Sequence, residues 1–431
     1  MNLERFIAAR ISNQGFNSFS SIILKIAVTA VALSLTVMIL TTSVISGFKN
    51  QISSKVFDFW GHIHITDGNV GNSFELIPME VDSMLLNELA QIDKTSYARP
   101  PTIFEPDVHP PVKHSKGGVE AIYPFTIVPA ILSNKQDFEG VFLKGLDHRS
   151  DVSRFEGFIK SGEMIPLNDD EPTRSILVSE QTATRMNFSL NDRIIIHFVL
   201  DEDPIKRVFE IGGIYRTGLE EYDERFAMVD MRVLQQILEW NQDMVSGLEV
   251  VLEHKDDSDL LSDYIYFERL PGNLYSIPIQ RKFSEIFQWL ELQNINERVI
   301  LILMTLVAII NMITAMLIFV LERTHMIGVL KALGSRNWTI RRIFLLNAAS
   351  VILKGLLFGN AIALGLGFIQ QKTGLLTLNE KDYYLDTVPV EFNIQTIVLI
   401  NVATIVITLI FLILPTSLVT RIQPVKALKF N

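Results

Sequence analysis

The sequence predicts an α-helical membrane protein with four transmembrane helices and a large α+β extracytoplasmic domain between the first and the second of them. The first observation is composition: 48% of the 431 residues are apolar and the mean hydropathy is +0.28, too apolar for an ordinary soluble protein with 20% charged residues. The second is four long runs that carry at most one charge each. The runs cover residues 26–46, 299–321, 343–368 and 394–418.

The third observation is the pattern of the sequence between the first two runs, which predicts short alternating strands and turns over about 250 residues. The alternative to membrane spans is a set of buried core helices in a soluble protein. Core helices rarely run for more than 20 residues without a charge, so the transmembrane interpretation is favoured.

Charge is distributed unequally around these runs and predicts their orientation. Residues 1–25, 322–342 and 419–431 hold 11 Lys and Arg against 2 acidic residues, whereas residues 48–298 hold 24 Lys and Arg against 42 Asp and Glu. Short basic segments remain in the cytoplasm. We therefore expect both termini and the 322–342 loop inside, and the acidic domain and the outer loop 369–393 outside.

The N-terminal segment 1–25 mixes Arg5 and Arg10 with apolar residues, which favours an amphipathic helix on the inner leaflet over a disordered leader. The first span, 26–46, is too long for a signal peptide, and no A-x-A-like cleavage site follows it. We expect this span to be retained.

Residues 47–281 are predicted to form the extracytoplasmic α+β domain, with one subdomain, about 150–240, inserted in another. The segment 98–116 contains five prolines and is expected to be loop or edge structure. The chain has no cysteine, so the domain needs an ordinary hydrophobic core and no thiol nucleophile is present.

A stalk helix is predicted over 282–298, because Phe283, Ile286, Phe287 and Leu290 recur at helical spacing. No Gly or Pro separates it from the second span, 299–321. A single helix over both parts would measure about 60 Å at ~1.5 Å per residue. Such a rod could transmit motion across a membrane.

The loop 322–340 contains a short amphipathic helix between the second and third spans. Its apolar stripe follows Glu322, ends at Gly334, and consists of Met326, Ile327, Leu330 and Leu333. From these residues alone, the stripe could dock into a groove on a soluble partner or lie passively on the lipid.

The third span carries one charge, Lys354, which helical rise places near the middle of the bilayer. Ionisable groups at that depth usually face the bundle interior or a wet cavity. Small residues recur around it at four-residue intervals, which allows close helix packing. This series is Gly355, Gly359, Ala361, Ala363, Gly365 and Gly367. Packing within one subunit and a dimer seam are equally compatible with it.

The sequence contains no motif for catalysis. A P-loop and a nucleophile elbow are absent from the chain, and no basic, aromatic-interleaved patch suggests nucleic acid. His62 and His64 share a strand face, but sequence places no third ligand beside them, so we predict no metal site. The chain is expected to be non-catalytic.

Two sequence motifs resemble the ABC-transporter permeases of the MacB/FtsX superfamily. The stretch ERTHMIGVLKALG over 322–334 is similar to the superfamily signature E-[RK]-x-x-E-I-G-[IV]-L-[RK]-A-[LI]-G, and RIQPVKAL over 421–428 is similar to its R-x-x-P-x-x-A-L ending. The order of one span, a large outer domain and three further spans is also the superfamily's. Within it, GHI at 61–63 and GGIYRTG at 212–218, followed by EYD at 221–223, resemble the lipoprotein-releasing LolC/LolE permeases.

The resemblance implies a MacB-like periplasmic domain and a multi-pass permease in the bacterial inner membrane. It implies pairing with a second permease copy or a paralogue, and with LolD-like ATPase subunits that bind ATP and Mg, while this chain binds no cofactor. In that superfamily the ATPases move the coupling helix, and the stalk relays the motion by mechanotransmission. We therefore expect Glu322, Met326, Ile327, Leu330, Leu333 and Gly334 to contact the ATPase.

The resemblance also implies a lipoprotein cargo held between the first and second spans of both permeases. The expected cargo face is Val37 and Leu40 on the first span, with Ala308, Asn311, Met312 and Met316 on the second.

The sequence departs from the pattern of these permeases in two places. Met326 replaces the Glu of the signature, and the turn 201–204 is shorter than the hook with which LolC-type permeases recruit a LolA-like carrier. Alternatives are a MacB-type exporter of peptides or small amphiphiles, and an FtsX-type transmitter to a cell-wall hydrolase.

Overall fold

The computed structural model describes residues 19–70, 76–101, 110–134, 137–167, 171–198 and 205–417. Outside this range lie residues 1–18 of the amphipathic segment, residues 102–109 of the proline-rich segment, the turn 201–204, residue 418 of the fourth span and the tail 419–431. The described residues form two compact units. The helical unit comprises the residues up to Gln51, Trp289–Leu378 and those from Thr387, and the sheet unit comprises Ile52–Gln288 and Asn379–Asp386.

The helices, in chain order, are α1 Phe19–Trp60, α2 Ser83–Ala90, α3 Ser153–Glu156, α4 Glu180–Met186, α5 Glu220–Arg225, α6 Met231–Ile237, α7 Ser258–Glu268, α8 Ile279–Lys282, α9 Ser284–Glu322, α10 Thr324–Ala332, α11 Asn337–Thr373, α12 Glu380–Tyr383, α13 Ile394–Phe411 and α14 Ile413–Thr416, with a 3-10 turn at Lys255–Asp257. The strands are β1 Ile63–Asp67, β2 Met79–Glu80, β3 Ser96–Tyr97, β4 Lys113–His114, β5 Val119–Ser133, β6 Phe138–Leu146, β7 Ile159–Gly162, β8 Ser175–Ser179, β9 Arg193–Phe198, β10 Ile205–Tyr215, β11 Phe226–Asp230, β12 Met244–Val245, β13 Gly247–Leu252 and β14 Leu274–Pro278.

Among the described residues, four helices are long and apolar enough to cross a membrane. They are Ile22–Trp60, Ser284–Glu322, Asn337–Thr373 and Ile394–Thr416. Each predicted span lies on one of these helices, within its bounds for the first three, while the fourth span, 394–418, extends past the last described residue, 417.

The first helix is longer than predicted, because residues 47–60 continue α1, and its last part, from Ile52, already belongs to the sheet unit. The signal was present in the sequence: Ile52, Val56 and Phe59 are spaced four and three residues apart, and all three are buried. The observed rod starts at Ser284, two residues later than predicted. Phe283 has φ −108° and ψ 50°, which separates α8 from α9, and α9 then runs unbroken for 39 residues, about 58 Å at ~1.5 Å per residue.

A mixed ten-stranded sheet organises the sheet unit. Its order is β14-β1-β13-β5-β6-β11-β8-β10-β7, and β9 pairs with both β10 and β5. The strands within the expected inserted subdomain, about 150–240, are β7 to β11, and they belong to this same sheet. Two hydrophobic clusters pack against it, one drawn mainly from residues 128–237 and one from residues 63–92 and 231–274.

The helical unit packs α1, α9, α11 and α13 around one apolar core. The small residues of α11 divide between two faces. A Cβ on Gly355 would lie 2.7 Å from Val31 Cγ1, and one on Gly359 would lie 2.8 Å from the Ala32 carbonyl oxygen. Gly365, by contrast, has no neighbour within 4 Å. The GxxxG pair therefore serves packing against α1 within one subunit.

Lys354 lies on the outward side of α11. Its side chain is exposed on α11, while the neighbouring Gly355 is buried against α1. The close approach of α11 to α1 turns the opposite side of α11 inward, so Lys354 does not face the interior of this subunit, and a position in a wet cavity stays a prediction.

Candidate functional site

The amphipathic helix predicted between the second and third spans is α10. Gly334 ends it with φ +87°, a conformation that favours glycine. The Ser335 amide donates to the Leu330 carbonyl at 3.0 Å and the Gly334 amide to the Lys331 carbonyl at 3.0 Å. This is the Schellman pattern, which satisfies carbonyls at a helix end and fixes where the chain turns.

The apolar stripe of α10 is divided between the protein's own core and the surface. Ile327 is fully buried in the core of the helical unit, and Met326 and Leu330 pack against that core. Leu333 is 78% exposed and Val329 is 38% exposed. The most exposed apolar side chains of this segment are thus Leu333 and Val329, and sequence periodicity alone missed Val329.

The expected cargo face is likewise only partly exposed. Ala308, Met312 and Met316 are buried in the core of the helical unit. Val37, Leu40 and Asn311 are half-buried. The outward face of α9 is a different stripe with helical spacing, Val299, Leu303, Leu306 and Ile310, each about half exposed.

A small cavity lies between α1, α9 and α11. It is lined by Ala27, Met312, Met316, Asn347 and their neighbours, and its volume is about 10 Å³. That is room for one water molecule and not for an acyl chain. The buried Asn347 Nδ2 has no hydrogen-bond partner among the described residues.

In the sheet unit, buried side chains hold the C-terminal end of α1. The Lys144 ammonium donates to the Phe59 carbonyl. His64 Nε2 lies 2.8 Å from the Trp60 carbonyl oxygen and donates to it. Carbonyls at a helix end lack intrahelical partners, so both contacts stabilise the point where α1 passes into β1.

A buried ion-pair network surrounds these contacts. Glu249 pairs with Lys144 at 2.6 Å and with Arg154 at 2.7 Å. Burial lowers the pKa of Lys144 to about 8, against the attraction of Glu249. Burial alone would raise the pKa of Glu249, but the charges of Lys144 and Arg154 hold it below its usual range.

The chain leading into α9 reaches the same network. Lys282 Nζ lies 2.6 Å from His64 Nδ1, and Phe283 stacks on Trp60 with centroids 5.6 Å apart. Burial, then the charges of Lys282 and Lys144, lowers the pKa of His64 well below its usual range. The imidazole is therefore neutral and accepts from Lys282 through Nδ1. We call Trp60, His64, Lys144, Glu249 and Lys282 the root cluster.

Sequence reasoning missed the root cluster, although a signal for it exists. Lys144 and Glu249 each interrupt an apolar strand, in VFLKGL and GLEVVL. Lys and Glu are almost never fully buried unless paired, so two such strands predict a buried pair.

The two histidines considered for a metal site both contact protein groups. His62 Nδ1 accepts from the Leu252 amide at 3.1 Å, and both ring nitrogens of His64 have the partners described above.

The family comparisons agree with this architecture. Residues 26–265 match the MacB-like periplasmic core domain, and residues 298–424 match the FtsX-like permease C-terminal family. The chain belongs to the MacB/FtsX family of ABC-transporter permeases. The resemblance and the fold class expected from the sequence are confirmed. This permease is a multi-pass membrane protein, and its sheet unit is the extracytoplasmic domain. Members of the family are typically non-catalytic transmembrane subunits.

Several relatives align over almost their whole length. The lipoprotein-releasing system transmembrane protein LolC of Xylella fastidiosa is 22% identical over 96% of this chain and 95% of its own. LolC of Neisseria meningitidis serogroup B is 21% identical over the full length of both chains. LolE of Haemophilus influenzae is 21% identical over 99% of each.

Proposed function

We propose that this permease uses ATP hydrolysis by partner ATPase subunits to extract lipoproteins from the inner membrane and release them towards the outer membrane. The observation that supports this most is the alignment, end to end, with relatives named as lipoprotein-releasing transmembrane proteins. The probable export ATP-binding/permease protein MacB of Pseudomonas entomophila aligns with only 39% of the chain. Both termini and α10 face the cytoplasm in this proposal, as the basic segments favour.

Mechanotransmission is supported by two features of the structure. One is α9, which runs unbroken from Ser284 to Glu322. The other is α10, whose fixed end and exposed Leu333 and Val329 offer a small apolar face. We propose that this face docks the LolD-like ATPase, with Glu322 and Gly334 beside it. Met326, Ile327 and Leu330 support the helix from the inner side.

We place the cargo face on the exposed side of α9. A lipid anchor needs apolar surface that the subunit does not fill itself. We propose that the stripe Val299, Leu303, Leu306 and Ile310 faces the space shared with a second permease copy or a paralogue. Val37, Leu40 and Asn311 are half-buried and remain candidates at its margin. A LolA-like carrier would receive the cargo outside.

The test is reconstitution of the permease with its ATPase in proteoliposomes that contain a triacylated reporter. ATP should release the reporter to a soluble carrier, and Leu333→Asp should lower both ATPase co-purification and release at least tenfold. His325→Asp adds a charge to an exposed site on the same helix and should leave both within twofold. ATP-independent release, or equal release of a non-acylated reporter, would overturn the proposal.

A further inference from the structure

The motif GGIYRTG, which marks the resemblance to lipoprotein-releasing permeases, contacts the loop between α11 and α13. The Arg216 guanidinium forms an ion pair with Glu380 on α12. A second hydrogen bond joins Arg216 to Glu180 at 3.0 Å. From the C-terminal part of α1, Lys55 Nζ donates to the Tyr384 carbonyl at 2.9 Å. Two cations from separate parts of the extracytoplasmic domain thus hold one short segment.

Buried hydrogen bonds fix the motif itself. The Asp223 carboxylate accepts from the Thr217 amide at 2.9 Å, the Thr217 hydroxyl at 2.8 Å and the Gly218 amide at 3.0 Å. Asp223 is 6% exposed. Because three donors converge on one buried carboxylate, the backbone that carries Arg216 has little freedom to move.

Gly218 makes the close approach possible. Its φ is +76°, and a Cβ there would lie 2.5 Å from Glu380 Oε1 and 2.7 Å from Lys55 Nζ. A side chain at this position would strain the backbone and crowd the ends of the Glu380 and Lys55 side chains. Glycine is therefore the residue that this arrangement requires.

The captured segment has its own order. The Tyr384 amide donates to the Glu380 carbonyl at 2.7 Å, and the Tyr383 amide donates to the Asn379 carbonyl at 3.0 Å. Residues 379–386 belong to the compact sheet unit, whereas the residues on both sides of them belong to the helical unit. The loop is thus held where the chain passes briefly into the extracytoplasmic domain.

We propose that residues 379–386 are a latch, held by Arg216 and Lys55, through which the extracytoplasmic domain engages the loop between α11 and α13 during the transport cycle. Arg216, Lys55 and Gly218 are positioning residues and touch no cargo. Motion would then reach the third and fourth transmembrane helices as well as the first two. The transport part of this inference rests on the proposed function, whereas the latch itself does not.

The first measurement is hydrogen exchange of the 380–386 amides in the complete permease–ATPase complex. Arg216→Ala, Glu380→Ala and Gly218→Ala should each speed this exchange at least tenfold. Arg185→Ala is the matched control: its ion pair with Glu139, at 2.5 Å, has similar exposure but joins α4 to β6 and does not involve residues 379–386. It should change the exchange less than twofold. Unchanged exchange in the Arg216→Ala/Glu380→Ala double variant would overturn the latch.

The second measurement concerns the cycle. In the unaltered complex, trapping with ATP and vanadate should change the 380–386 exchange at least threefold, and no change would exclude a part in the cycle. In the variants, reporter released per ATP should fall at least fivefold while basal ATPase activity stays within twofold; an unaltered ratio would also exclude it. If the unaltered complex releases no acylated reporter, the proposed function fails, while both exchange measurements still decide the latch.

Discussion

In the extracytoplasmic sheet unit, charged side chains lie in the interior, whereas the buried polar side chains of the described helical unit are all uncharged. Lys144 and Glu249 are essentially inaccessible in the first unit. In the second, Thr36 is a typical buried polar residue, and its hydroxyl donates to the Ala32 carbonyl at 2.8 Å, one turn back on its own helix. The same chain therefore satisfies buried polar groups in two different ways.

The difference follows from the solvent in which each unit is immersed. A buried charge in the sheet unit gains a paired partner and several hydrogen bonds, which offset its desolvation. In the hydrocarbon core of a bilayer, an unpaired charge or backbone group has no water with which to form a hydrogen bond. Hydroxyls that return to their own helix and glycines that permit close packing avoid that penalty. We therefore expect the stability of the sheet unit to depend on its buried ion pairs. The stability of the helical unit should depend on the volume of the side chains where its helices touch.

The largest expected effect comes from breaking the buried pair. Glu249→Ala leaves Lys144 and Arg154 buried beside each other without the carboxylate that pairs with both, and should lower the free energy of unfolding by about 3–5 kcal/mol. Arg185→Ala breaks a surface pair and should lose less than about 1 kcal/mol. Chemical denaturation of the purified protein, followed by Trp fluorescence, measures both. Similar losses in the two variants would show that the buried charges carry no special weight.

The next effect tests volume in the helical unit. Gly359→Leu forces a side chain into space occupied by Ala32 and Leu35, and should lose about 1–3 kcal/mol through overpacking. Gly365→Leu, on the open side of the same helix, should be nearly neutral. SDS titration of helicity in micelles compares them. If Gly365→Leu were the more damaging variant, α11 would pack through its other face, and the buried side assigned to it would be wrong.

The sequence predicted the transmembrane helices better than it predicted the sites on them. Charge-free length identifies a span, and a helical period identifies an amphipathic face. Neither shows which side of a wholly apolar helix faces its neighbours, so Met312 and Met316 were assigned outward although they are buried. The same limit applies to Ile327, which is fully buried.

Long-range contacts were out of reach for a different reason. Lys144 meets Glu249, and Arg216 meets Glu380, more than 100 residues along the chain. Sheet register and loop position create these pairs, and local patterns carry little information about either. The stalk helix and the amphipathic helix of the 322–340 loop, by contrast, depend on local periodicity and are observed as α9 and α10.

The smallest expected effect is the loss of stability of the sheet unit at acid pH. Burial, then the charges of Lys255 and Arg154, lowers the pKa of His62 to about 4. An unfolded histidine takes up a proton near pH 6.5 while the folded one stays neutral, so stability is complete above pH 6.5 and falls as the pH drops towards 4. Between pH 6.5 and 5.5, His62 should account for about 1 kcal/mol of the loss. His62→Gln keeps an acceptor for the Leu252 amide and should remove that share, as denaturation at the two pH values would measure. An equal acid loss in the variant would mean that His62 does not contribute and that other groups carry the sensitivity, among them His64, whose pKa is also lowered.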